Sequence, residues 1–406
     1  MNSENRMPLE GLKVIELSTV VAAPTTARML CAYGADVIKI EAAFGDSQRT
    51  VGIGKRAPCE DYRNPMFDIH NSNKRLISLN IKSEEGREIL FKMLEDADVF
   101  VTNVREASLA RSGLDYSSLK DRFPRLIYAQ FYGFGPNGPA AGDPGYDSTA
   151  FWMRSGPPSD WTADGTPFYP TYAFGDMATS SVLLSGILMA LISRASTGKG
   201  TMVNTSLYAS GIWCNASGVV QTQFEMKHLN PDYAHPVGPF DAFHPCADGT
   251  WLAIYVTNYK KNCEVFSRVF NMPEIVEDPR WASYTELEKS GYMEEAVRKV
   301  QQALSAKTAR EWRDILSANN IACEVMQRTC DVCKDPQALE NEYVERLDYP
   351  DGLSVMMPSP PIHFSDMGRK PYRVCGKVGE NTDEIMHQYG YSDEDILRFK
   401  QSGAIK

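Results

Sequence analysis

The sequence lacks an excess of positive charge: 42 lysines and arginines stand against 52 aspartates and glutamates, for a formal net charge of −10. A field of that sign holds neither a nucleic-acid backbone nor an anionic membrane face, so an anionic ligand needs a local cluster of cations. No run reaches the ~18 consecutive apolar residues that a membrane span requires. The opening MNSENRMPLEGL has no basic segment followed by an apolar stretch, so the expectation is a cytoplasmic protein with no nucleic-acid or membrane partner. Cysteine is sparse and odd in number, nine residues scattered from Cys31 to Cys375, which fits reduced thiols better than a disulfide framework. Cys330 and Cys333 form a CxxC with no second pair and no flanking histidine, and this reads as structural rather than metal-binding or redox-active. Six histidines (His70, His228, His235, His244, His363 and His387) show neither metal spacing nor a G-x-S-x-G elbow. Metal and serine hydrolase chemistry therefore lose support, and no metal is expected.

What is present is an ordinary globular composition, 406 residues with 43% hydrophobic and 23% charged, enough for two or three cores at ~100–200 residues per domain. Short apolar runs at residues 13–17, 36–40, 76–80, 98–102 and 126–132 alternate with segments carrying helix punctuation. Pro24 stands at a first helical position and Gly34 just past an end, while Ser83 precedes Glu84 and Glu85 with Ile89, Leu90, Met93 and Leu94 at helical spacing. Strands of this kind predict an α/β domain with an open parallel sheet covered on both faces. Residues 177–194 are apolar on almost every side, as in a helix buried mid-domain, and TMVNTSL follows as another strand. A second, smaller α+β unit is expected after residues 221–249, with a strand at 250–256, a helix near 260–270 and two more between 293 and 318. Thr308 and Glu311 form a capping box for the last of these. The expected division is 1–222 plus 330–406 for the large domain and 223–329 for the small one.

Several residues invite a chemical reading. Gly133, Gly135 and Gly138 satisfy G-x-G-x-x-G after a strand, but Pro136, Pro139 and Pro144 remove donors and no helix pattern opens there, which speaks against a dinucleotide site. Asp176, in FGDMATSS, falls at the expected N-cap of the helix beginning at Met177. Asp is a common N-cap and is accounted for by satisfying orphan N–H groups alone. Alternatively the helix terminus keeps the carboxylate ionised and aimed at a ligand, as a nucleophile on an activated acyl carbon requires. Lys39, Arg49, Lys74, Arg75, Arg105 and Arg111 recur near strand ends, where an open α/β sheet binds ligands; they are either a phosphate-gathering set or solvated surface. Trp152, Met153, Trp161, Tyr169, Tyr172 and Phe174 make the approach to Asp176 aromatic, as core or as the wall of an acyl pocket.

Taken together, LEGLKVIELSTVVAAPTTARMLCAYGADVIKIE, NKRLISLNIKSEEGREIL, DVFVTNVREASLARSGL, PRLIYAQFYGFGPNGP, the FGDMATS run, TGKGTMVNTSLYAS and GENTDEIMHQYGY make the chain resemble the family III CoA-transferases over nearly its whole length. Within that family it looks closest to the 2-hydroxy-acid transferases of amino-acid fermentation. The resemblance implies a Rossmann-like large domain built from both chain ends, a small domain inserted between, and an interlocked homodimer. It implies Asp176 as nucleophile and CoA contacts at Val20, Val21, Lys74, Arg75, Asn103, Val104, Arg105, Arg111, Tyr132 and Phe134; Trp152 and Tyr172, from the aromatic stretch, are the candidates for an acyl pocket. Acyl-CoA and a carboxylic acid are the implied substrates, with no permanently bound cofactor, and backbone N–H groups near Gly133–Gly135 the implied oxyanion donors. Two departures stand out. The region HPVGPFDAFHPCADG lacks the glycine run that shields the intermediate in some members. Related acyl-CoA racemases place a general-base histidine where this chain has Tyr146, which favours transfer over racemisation; a racemase or a noncatalytic CoA-binding protein remain the other readings.

Overall fold

The five apolar runs of the first third become strands of one parallel sheet: β1 (Lys13–Leu17), β2 (Asp36–Glu41), β3 (Arg75–Ser78), β4 (Val99–Thr102) and β5 (Ile127–Tyr132), joined by β6 (Met202–Ser206). The computed structural model describes residues 6–162, 165–224, 238–256 and 258–406. Strand order is β3-β2-β1-β4-β5-β6, the doubly wound order in which the winding reverses between β1 and β4. Alternation along each strand feeds two cores. Val14, Val37, Val99 and Ile127 face one side, under the helices Ala22–Ala32 and Phe174–Thr197. Ile15, Ile38, Phe100 and Tyr128 face the other, under Glu84–Leu94 and the closing helix Asp393–Ser402. Each fully buried side chain of this size contributes about 1.5–3 kcal/mol relative to exposure, and their near-continuous apolar character is what a sheet covered on both faces demands.

The chain divides into two compact units, one taking the described residues of 1–158, 168–227 and 336–406 and the other those of 159–167 and 228–335. The second unit has its own antiparallel sheet, β7 (Ala242–Pro245), β8 (Trp251–Tyr255) and β9 (Ala322–Val325), in the order β7-β8-β9. Helices Tyr259–Val269, Met293–Leu304 and Ala309–Ala318 close a core around Phe240, Phe266, Trp281 and Trp312. The capping box is present: the Glu311 N–H donates to Thr308 Oγ1 and the Thr308 N–H to Glu311 Oε2.

The long helix of the first unit differs from its sequence-based reading in two ways. It begins at Phe174 rather than Met177, because its first N–H groups are satisfied from elsewhere in the chain. It is also not buried all round: Leu183, Leu184, Ile187 and Ala190 enter the core, while Met189 and Ile192 are exposed. By length and composition the helix is apolar enough to cross a membrane, but one of its faces is packed into the core against the sheet. Pro24 likewise sits two residues into its helix, which starts at Ala22.

Candidate active site

Where the winding of the sheet reverses, the carboxyl ends of β1, β4 and β5 open onto a cavity of about 760 Å³, within the size range of small-molecule sites. Its walls are Thr19–Ala22 after β1, Asn103–Ala107 after β4, Gln130–Gly133 at the end of β5, Pro136 and the run 141–146, with Asp176 and Leu207. Gly133 and Gly145 fix the mouth of the loop between them. A methyl group on Gly133 would lie 2.6 Å from the Gly145 Cα, and one on Gly145 2.5 Å from the Gly133 Cα, so the two backbones pack directly on each other.

Asp176 lies in the first turn of the Phe174–Thr197 helix, at its third residue, and not at the N-cap. The cap position is Ala173, in the left-handed conformation with φ 65°, and its methyl side chain has nothing to offer the orphan donors. Asp147 supplies the missing acceptor: its Oδ1 takes the Asp176 N–H at 3.0 Å, and its carboxylate also meets the Gly175 N–H. Gly175 must be glycine for this approach, since a Cβ there would fall 2.2 Å from the Phe151 ring and 2.5 Å from Asp147 Oδ1. The capping duty is thus discharged by a residue 29 positions away, and the Asp176 side chain is left with no hydrogen bond among the described residues. It is 9% exposed and borders the cavity. Burial and then the charge of Asp147 push its pKa up to about 7. A carboxylate poorly solvated, ionised in part near neutrality and aimed into a cavity is suited to attack an electrophilic carbon.

The structure gathers Val20, Val21, Asn103, Val104, Arg105 and Tyr132 around this cavity with Asp176. The remaining sequence-derived residues stand elsewhere. Lys74 is buried, its Nζ 2.6 Å from Glu16 Oε2 and 2.8 Å from the Pro24 carbonyl, and burial pushes its pKa down to about 8. Arg75 forks onto Asp36 and reaches Glu384 and Gln388. Arg111 is exposed and donates to Ser108 Oγ at 2.9 Å. Phe134 packs against Tyr208 and under Arg154. Trp152 is core, edge-on to Phe151 and Phe168 and tilted against Phe174. Tyr172 donates to Gln48 Oε1 at 2.9 Å, and burial, followed by the charge of Asp176, raises its pKa to about 12. His228 and His235 fall outside the described residues, and HPVGPFDAFHPCADG does so in part. Among the described residues no group of three or more His, Cys, Asp or Glu side chains is placed to hold a metal ion. Sequence reasoning passed over Asp147, although it directly follows Tyr146, because no local spacing ties it to a helix that starts 27 residues later. It also missed Thr19, Glu106, Gln130 and Leu207, which border the cavity.

Comparison with known proteins finds relatives along nearly the whole chain. The model of CoA-transferase family III matches residues 9–382. The chain is 36% identical to the (R)-2-hydroxy-4-methylpentanoate CoA-transferase of Clostridioides difficile, over 98% of this chain and 100% of that one. It is 31% identical to the cinnamoyl-CoA:phenyllactate CoA-transferase of Clostridium sporogenes, over 97% and 96% of the two chains. Among solved structures, a CAIB/BAIF family protein from Brucella suis superposes with a TM-score of 0.77 at 28% identity, covering 95% of this chain and 100% of the other. A Mycobacterium tuberculosis protein shares the fold at a TM-score of 0.80 and 23% identity, over 93% and 99% of the chains.

Proposed function

The chain belongs to CoA-transferase family III, and from that premise we propose that it passes CoA from an acyl-CoA or enoyl-CoA to an (R)-2-hydroxy acid by way of a covalent intermediate on Asp176. One observation carries the reading: a buried carboxylate, unengaged by its own helix, borders the cavity at the reversal point of the sheet. The two curated relatives named above are CoA-transferases whose names specify 2-hydroxy acids, which supports that acceptor class.

An Asp176 oxygen attacks the thioester carbon, the C–S bond breaks, and CoA leaves as thiolate from a mixed anhydride. The thiolate then attacks the aspartyl carbonyl, expelling the donor acid as its carboxylate and leaving an aspartyl-CoA thioester. The acceptor carboxylate repeats these steps in reverse and restores Asp176. One thioester replaces another, so the exchange is nearly isoenergetic. Each attack places negative charge on a carbonyl oxygen, and N–H groups bordering the cavity at Gly133 and at the start of the Ala22–Ala32 helix, where the first donors have no intrahelical acceptor, are suited to receive it. Val20, Val21, Asn103, Val104, Arg105 and Tyr132 are the CoA contacts in this reading, while Lys74 and Arg75 enter it as supports of the strand ends. Tyr146, not a histidine, borders the cavity, so racemisation lacks its second base.

We place the reaction in a cytoplasmic homodimer. Met189, Ile192, Trp213 and Val220 stand exposed on helices of the first unit, with Phe224 exposed just after the last of them, and large apolar side chains left in water support a protein contact. Incubating the protein with a panel of acyl-CoAs, cinnamoyl-CoA among them, and a panel of carboxylic acids, then reading the products by mass, tests the function. We expect CoA on (R)-2-hydroxy acids from the wild type and none from Asp176→Ala. Equal turnover by that variant contradicts the proposal.

A further inference from the structure

Val20 is β-branched yet has a φ of 71°, where an L side chain crowds its own backbone. Such strain persists only when the surroundings over-determine it, and it is concentrated at working sites. Here the surroundings are specific. On one side Asn103 grips Thr19, accepting its N–H at 3.1 Å and donating to its carbonyl at 2.8 Å. On the other, the Val20 N–H donates to Asp46 Oδ1 at 3.0 Å. The next carbonyl, that of Val21, is taken by the Thr25 N–H and Oγ1 at 2.7 and 2.8 Å.

Asp46 is itself immobilised. Oδ1 also accepts the Gln48 N–H at 3.0 Å, and the Asp46 N–H donates to Glu41 Oε1 at 3.0 Å. Oδ2 faces Lys39 Nζ at 3.0 Å, and that ammonium also meets Glu16 Oε1 and the Ser18 carbonyl, both at 2.9 Å. Glu16 in turn binds Lys74. Burial works against the Asp46 charge, but Lys39 and the two N–H donors outweigh it and hold its pKa below the ordinary carboxylate range. Burying such a chain of charges is costly unless it secures something specific. None of Glu16, Lys39, Asp46 and Lys74 borders the cavity. What the chain of charges reaches is the backbone of Ser18 and Val20, the segment that forms the cavity wall.

We propose that Asp46, fixed by Lys39, is a positioning residue that acts through the Val20 N–H to hold Val20 left-handed, and so sets the Thr19–Ala22 wall facing Asp176. Its kinetic consequence rests on the transfer reading; its structural consequence does not. Asp46→Ala releases Val20 to a negative φ and turns both of its peptide planes. Adding Val20→Gly supplies a residue that takes the positive φ without steric penalty.

The test compares crystal structures, melting temperatures and transfer kinetics of Asp46→Ala with and without Val20→Gly. We expect Val20 to leave the positive-φ region in the single variant, with kcat lowered tenfold or more. The double variant recovers most of kcat while its melting temperature stays as low as that of the single one. A merely structural Asp46 moves kcat and melting temperature together and gives no recovery. Val20 keeping its φ without Asp46, or no recovery on adding glycine, overturns the proposal. Should Asp46→Ala not fold, Asp46→Leu combined with Lys39→Met, which removes both the acceptor of the Val20 N–H and the ammonium facing it, gives the same comparison. A wild type without transferase activity sinks the functional reading instead, and the φ of residue 20 in the variant still decides this one.

Discussion

At the scale of the residue, Asp176 is held in a state that costs the fold something. Its pKa of about 7 against an ordinary 3.8 means the folded protein binds this proton more tightly than the unfolded chain. The associated stability is complete below about pH 3.8 and is lost as pH rises through about 7, a difference on the order of 4 kcal/mol. Asp176→Asn should therefore raise the melting temperature more at pH 8 than at pH 5, measured by calorimetry, while ending transfer; an equal shift at both pH values contradicts the assigned ionisation. The same pKa predicts that turnover increases with pH through about 7, as the nucleophile ionises. Asp147 adds to that elevation through its charge, so Asp147→Asn, which retains an oxygen for the Asp176 N–H, should move the acid limb of the pH–rate profile to lower pH. A limb that stays in place would separate the two carboxylates.

At the scale of the element, the start of the Phe174–Thr197 helix is a junction of three parts: the Ala173 turn, the Gly175 backbone and the Asp147 carboxylate reaching across. Gly175→Ala inserts a methyl where 2.2 Å separates it from Phe151, and we expect about 1–3 kcal/mol of destabilisation together with a fall in kcat/KM as the Asp147 cap is displaced. Wild-type melting and kinetics in this variant would show that the close approach is dispensable. The strands were legible in advance because period and apolar content are local properties: β1 spans the run read from the sequence, and β4 and β5 lie within theirs. The helix start was read three residues late because its cap comes from a distant segment. Lys74 reads as a ligand contact for a related reason, since it stands just before β3 while its partner Glu16 lies on β1, and only folding brings the two within 2.6 Å. Trp152, open between core and pocket in the sequence, was decided by rings that pack on it from both sides in the chain.

At the scale of the whole molecule, the first unit leaves several large apolar side chains in water, with Trp213 76% exposed, and the dimer proposed above would cover them. Trp213→Asp should convert the dimer to monomer or to aggregate in sedimentation velocity, and a wild type that sediments as a monomer removes the dimer from the account. The account as a whole turns on a bond between the protein and its substrate, so weighing the intact protein is the direct test. After mixing with a competent acyl-CoA and rapid acid quench, we predict a mass increase equal to CoA less water, mapped by digestion to Asp176 and absent from Asp176→Ala. Turnover with no adduct at that residue, or the same adduct in the alanine variant, would contradict it.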